Sequence, residues 1–145
     1  MDSPCFTSGD WIWFGATDGV NDYREFCHEF AANVATATLV ITADAMYQVW
    51  LNGAIIGHGP AKSAEGKRSV DTYELSDLRT DEANTLDIVV LAIGSGTMTY
   101  CLGDPGLRFE VLAEDKVIAA SGTDTLGRID RRRNPHTVRR WFMPC

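Results

Sequence analysis

The sequence predicts an all-β fold, a two-sheet sandwich or jelly roll of about eight or nine short strands. Short runs rich in β-branched and aromatic residues follow one another, with turn signals between them. An Asn52-Gly53 pair stands between two such runs, and it supplies the two positive-φ residues of a type I′ hairpin turn. No long amphipathic helical pattern interrupts the series.

In chain order, "WIWF" places Trp11 and Trp13 on one face of a first strand. "YREFCHEF" alternates, with Tyr23, Glu25, Cys27 and Glu29 on one face and Arg24, Phe26, His28 and Phe30 on the other. "TATLVITA" and "YQVWL" follow, joined at Asp44-Ala45, and "AII" returns beyond the Asn52-Gly53 turn. In this hairpin Tyr47, Val49 and Leu51 point inward. "RSVDTYEL" reads as a strand, and "SDLRTDEAN" as a turn or one helical turn capped by Ser76 or Asp77. "TLDIVVLAI" is the most apolar run, expected at the centre of a sheet and covered on both faces. "TMTYCL" is expected as a strand, and "GLRFEVLA" and "KVIAASG" as a hairpin over Glu114-Asp115.

The chain has 145 residues, 45% apolar and 23% charged, which fits one domain with a real core. Its apolar runs fall far short of the roughly 20 residues of a membrane span. The start, with Asp2 and Asp10 and no apolar stretch, lacks the pattern of a secretory signal, so a cytoplasmic location is expected. Cys5, Cys27, Cys101 and Cys145 form no CxxC pair, which argues against zinc and thioredoxin motifs and for reduced thiols. Residues 128–145 carry six arginines against one acid, a net of +5, leaving −12 for the first 127. No aromatic interleaving or nucleic-acid module accompanies them, so no nucleic acid is expected. A domain over 1–127 and a basic linker or docking segment over 128–145 are expected instead.

Chemistry is sparse. "GSG" at 94–96 lacks the spacing of a nucleophile elbow, "GAIIGHGP" lacks a phosphate-binding lysine and helix, and His28, His58 and His136 have no metal-ligand spacing. No pair of carboxylates can be nominated as catalytic. Asp44 and Asp71 beside backbone carbonyls offer oxygen ligands to calcium, without a loop array of the EF-hand kind. Flat aromatics suit sugar rings, with Asn, Asp, Arg and His taking the hydroxyls. The alternative for Trp11 and Trp13 is burial between the sheets.

The order of "WIWF", "NDYREFCHEF", "ATLVITADAMYQVWLNGAIIGHGPAKS", "DTYELSDL", "ANTLDIVVLAIG" and "GLRFEVLAEDKVIAAS" resembles the N-terminal, galactose-binding-like β-sandwich of bacterial α-L-rhamnosidases, glycoside hydrolase family 78. The resemblance covers residues 11–125 and rests most on "TAD", "Y.VW.NG..IG.GP" and "D.Y.L". It implies a non-catalytic accessory domain that packs on and orients an (α/α)6 catalytic barrel of the same polypeptide, with weak carbohydrate contact. The alternative is an autonomous carbohydrate-binding module, calcium-assisted. Candidate sugar or interface residues are Trp11, Trp13, Asn52, His58, Lys62, Arg68, Asp71, Tyr73 and Trp141. Two positions depart from the family: Leu126 stands where a tryptophan is usual, and Lys62 where arginine follows "GPA". A cation is retained there without the planar fork.

Overall fold

A computed structural model describes residues 6–17, 19–61, 67–96 and 100–133. Nine strands occur among them: β1 (Asp22–Phe30), β2 (Ala37–Ala43), β3 (Met46–Leu51), β4 (Ala54–Gly59), β5 (Asp71–Leu75), β6 (Asn84–Ala92), β7 (Leu107–Ala113), β8 (Lys116–Ala120) and β9 (Leu126–Ile129). They form two antiparallel sheets, ordered β4-β3-β6-β1-β9 and β5-β2-β7-β8. The architecture is the expected all-β sandwich.

Period-2 patterning builds the interior. Tyr47, Val49 and Leu51 of β3 and Leu86, Ile88 and Val90 of β6 meet Leu39 and Ile41 of β2 and Phe109 and Val111 of β7 in one core. Burial of these side chains is the main stabilising term, at roughly 25 cal/mol per Å² of apolar surface. Both hairpin turns behave as the sequence implied: Asn52 and Gly53 have φ of 49° and 84°, and Glu114 and Asp115 have 47° and 64°. At Asn52-Gly53 a residue without a Cβ takes the second positive φ without steric cost.

Some expectations are corrected. "WIWF" is not a strand: only Ile12 pairs, with Leu107. It runs beside β7 as an irregular segment, so its side chains do not alternate across a sheet. Of "TMTYCL", residues 97–99 lie outside the described residues, and 100–102 carry a single bridge at Tyr100 and no strand. The segment 76–83 holds no helical turn, because Asp77 takes φ 60°, outside the helical region. β6 is central as expected, but its outer face is only half-covered from Thr85 to Val89. No helix lies outside that face to bury it, since none occurs among the described residues.

The N-terminal segment and the end of the chain are both tied to the sandwich. Arg24, 1% exposed, pairs with Asp22 and donates to the carbonyls of Phe14 and Ala16, each at 2.8 Å. Ser8 N donates to buried Glu110 at 2.5 Å. β9 runs past residue 127, the expected end of the domain, and pairs with β1. Arg128 within it and Arg132 just beyond it bridge Glu25, and Arg132 and Arg133 bridge Asp130 at 3.2 and 3.0 Å. The described part of the basic run is therefore folded against acids of the sandwich.

Candidate functional site

One end of the sandwich gathers most of the sequence-nominated residues. It is formed by the start of β3, the end of β4, the start of β5 and the segment 100–106. Tyr47 is interior by strand alternation, yet its hydroxyl reaches out of the core to donate to Asp71 Oδ2 at 2.5 Å. The Tyr73 hydroxyl lies 3.0 Å from it and donates to the His58 carbonyl at 3.0 Å. This network crosses from one sheet to the other and holds the loop end of β4.

Glycines 57 and 59 exist to let it form. A Cβ at Gly57 would overlap the Tyr73 ring, and one at Gly59 would overlap the Asp71 carboxylate and the Tyr47 hydroxyl at 2.8 Å. The hairpin also carries a bulge, with the register shifting between Val49 and Trp50. Gly59 is joined to Pro60 by a cis peptide. The backbone of β4 thus lies closer to β5 than any side chain would permit.

A second group stands on the neighbouring loops. Arg68 stacks over the Trp11 ring at 4.4 Å, approaches Asp44 Oδ1 at 3.5 Å and donates to the Asp104 carbonyl at 3.2 Å. Tyr100 donates to the other oxygen of Asp44, whose side chain is only 3% exposed. Trp11 in turn donates from Nε1 to the Pro105 carbonyl at 3.2 Å, over Gly106. Arg68, with a side chain 41% exposed, is the part of this group that solvent or a partner can reach.

The electrostatics make both tyrosines donors. Burial first, and then the hydrogen bonds to Asp71 and Tyr73, push the Tyr47 phenol well above its ordinary range. Burial, with the Asp44 hydrogen bond second, pushes Tyr100 up to about 12. Each carboxylate already has an oxygen occupied by a tyrosine, and Asp44 also faces Arg68. Among the described residues no group of three or more His, Cys, Asp or Glu could hold a metal ion. The arrangement is suited to presenting a rigid polar and aromatic surface.

The remaining nominees are elsewhere. Asn52 sits at the far end of β3, about 16 Å away at 3.3 Å per residue. Its amide donates to Asn84 Oδ1 at 2.9 Å and accepts from Thr85 N at 2.9 Å, so it clamps the turn. Trp13 lies inward against Phe26, with ring centroids 6.1 Å apart, and under Arg24 at 5.2 Å. Trp11 and Trp13 therefore divide between the loop site and the packing of the N-terminal segment. Lys62 and Trp141 lie outside the described residues, as do His136, Cys5 and Cys145. Cys27 and Cys101 are free thiols. Tyr100 and Tyr47 are not among the nominated site residues, because the one lies in a run expected as a strand and the other is placed inward in the hairpin.

Among solved structures the chain is similar to the GH78 family rhamnosidase of Bacillus sp. GL1, with 30% identity and a TM-score of 0.79. That match covers 85% of this chain and 13% of the rhamnosidase. The chain matches one domain of the GH78 rhamnosidases. The GH78-like sandwich also superposes on the α-L-rhamnosidase of Streptomyces avermitilis, complexed with L-rhamnose, at 22% identity and TM-score 0.63, covering 90% and 13% of the two chains. A lectin of Pleurotus ostreatus shares the fold at 22% identity and TM-score 0.55, over 83% of this chain and 31% of the lectin. No protein-family model and no curated protein matches the chain. The GH78-like sandwich thus spans only a small part of the enzymes it matches.

Proposed function

We propose that the chain is a non-catalytic accessory domain of an α-L-rhamnosidase-like glycoside hydrolase. In this role it packs on the catalytic (α/α)6 region of the same polypeptide and helps orient it. One observation carries the proposal: 85% of this chain aligns at 30% identity with only 13% of a GH78 rhamnosidase. The loop end is the face best suited to the contact. Tyr47, Asp71 and Tyr73 stiffen it, while Arg68 and His58 are exposed on it. Such a surface can fix the angle of a neighbouring domain without reorganising.

The test is to read the gene beyond codon 145 and to assay the present chain on an aryl α-L-rhamnoside. A long helix-rich continuation and no turnover by this chain are expected. An immediate stop codon, or turnover by this chain alone, would overturn the proposal.

A second role, as a carbohydrate-binding module, is favoured by the lectin neighbours, one of them solved in complex with GalNAc. Titration of the chain with L-rhamnose and with GalNAc, in calcium and in a chelator, tests it. Chemical-shift changes at millimolar sugar are expected, and larger changes in calcium than in chelator would show that the cation assists binding. Silence under all conditions would remove this role and leave the accessory role standing.

A further inference from the structure

The outer face of the five-stranded sheet holds a groove that the loop-end site does not use. Strand pairing sets one row of residues across it: Ile55 opposite Trp50, Trp50 opposite Asp87, Asp87 opposite Cys27, and Cys27 opposite Leu126. Directly opposed residues share a face, one strand spacing of about 4.8 Å apart. Alternation puts this row outside, since Val49, Leu51, Ile88 and Phe26 from the same strands are buried in the core.

Trp50, Asp87, Cys27 and Leu126 of this row line an open cavity of about 640 Å³, together with Val89 and with Arg128, Arg132 and Arg133 along the β9 side. This is within the size range of small-molecule sites, which combine apolar walls with a few fixed polar groups. The polar groups here are held in place. Glu25, whose side chain is 11% exposed, anchors both Arg128 and Arg132, each with a side chain 73% exposed. Every guanidinium carries five N–H donors, so donors remain after the Glu25 contacts. Asp87 takes a hydrogen bond from Cys27 and keeps further acceptor capacity.

We infer that this groove binds a neutral saccharide or glycoside. Trp50 would stack on the apolar face of the sugar ring, Asp87 would accept from one hydroxyl, and Arg128 or Arg132 would donate to another. A neutral ligand fits because the three lining arginines are matched by the acids Glu25, Asp87 and Asp130. A purely apolar ligand would cover the remaining guanidinium N–H donors and the Asp87 acceptor without giving them hydrogen bonds, at a cost. The inference rests on the carbohydrate-binding role proposed above and gives that role a location away from the loop end.

The test is a titration of the isotope-labelled chain with L-rhamnose, methyl α-L-rhamnoside and GalNAc, followed through the Trp50 indole N–H and the amides of Val89 and Leu126. Shifts centred on these signals are expected. Trp50→Ala should weaken binding about tenfold, the order of one lost aromatic contact. Trp50→Phe should keep most of it, and Glu74→Gln on the other sheet should change nothing. If Trp50→Ala does not fold, Trp50→Phe and Asp87→Asn decide the matter by a smaller loss or none. Shifts confined to Trp11, Arg68 and Tyr73 would overturn the groove and leave the carbohydrate role intact. No shift with any of the three sugars would overturn both.

Discussion

Tyr47 and Asp71 join the two sheets by one hydrogen bond, the β3 phenol donating to the β5 carboxylate at 2.5 Å. Bonds to charged groups are worth about 1.5–3 kcal/mol when broken from one side. Tyr47→Phe is therefore expected to lower the urea unfolding free energy by about 2 kcal/mol. Asp71→Asn, which retains a neutral acceptor, should lose less. Equal losses for the two variants would show that the charge contributes nothing.

Arg24 is the buried cation that ties the N-terminal segment to β1. Removing one partner of a buried ion pair typically destabilises by about 3–5 kcal/mol. Arg24→Ala should fall in that range in urea melts, and amide exchange at residues 14–16 should accelerate with it. Arg24→Lys should rescue little, because one ammonium cannot reach Asp22 and the carbonyls of Phe14 and Ala16 together. Full rescue by lysine would mean that charge alone, without the fork, holds the segment.

His28 gives the sandwich a pH dependence. Its ring is buried against Phe109 at 5.3 Å, with Nδ1 3.0 Å from Thr125 Oγ1. Burial holds its pKa below the ordinary 6.5, and nearby Asp124 opposes this only in part. The unfolded chain therefore binds the proton more readily than the folded one. Stability should be flat above about pH 6.5 and fall as pH drops below it, until the folded ring also protonates. The urea midpoint of His28→Gln should lose part of that slope relative to the parent chain. Identical slopes would place the effect in other groups.

Cys27 faces the groove yet should react slowly. Burial, reinforced by Asp87, raises its thiol from 9.0 to about 11. Only the thiolate attacks disulfide reagents, so this shift lowers its population about a hundredfold at neutral pH. Timed labelling with mass analysis should find Cys27 modified after exposed Cys101. Asp87→Asn should speed it. Rapid labelling of Cys27 in the parent chain would contradict the half-buried, hydrogen-bonded thiol.

The strands were legible where side-chain period and turn chemistry act locally. Asn52-Gly53 and Glu114-Asp115 set two hairpins through positive φ at adjacent residues, and alternation placed Tyr47, Val49 and Leu51 inside. Segments without a local pattern were not legible. "WIWF" has strand composition, but its position is set by Arg24 and by a single bridge to Leu107. β9 hid in the basic run because Leu126 and Arg128 face outward and Gly127 has no side chain, so no apolar alternation marks it.

By itself the sequence determined the fold class, the hairpins and the glycines that shape the β4 loop, since these follow from φ preferences and period-2 burial between neighbours in the chain. Only the tertiary structure decided that Trp11 meets Arg68, that Tyr47 meets Asp71 and that Trp50 lines a groove with Asp87 and Arg128. Those contacts join residues far apart in sequence. Sheet order and register bring them together, and no short-range signal encodes either.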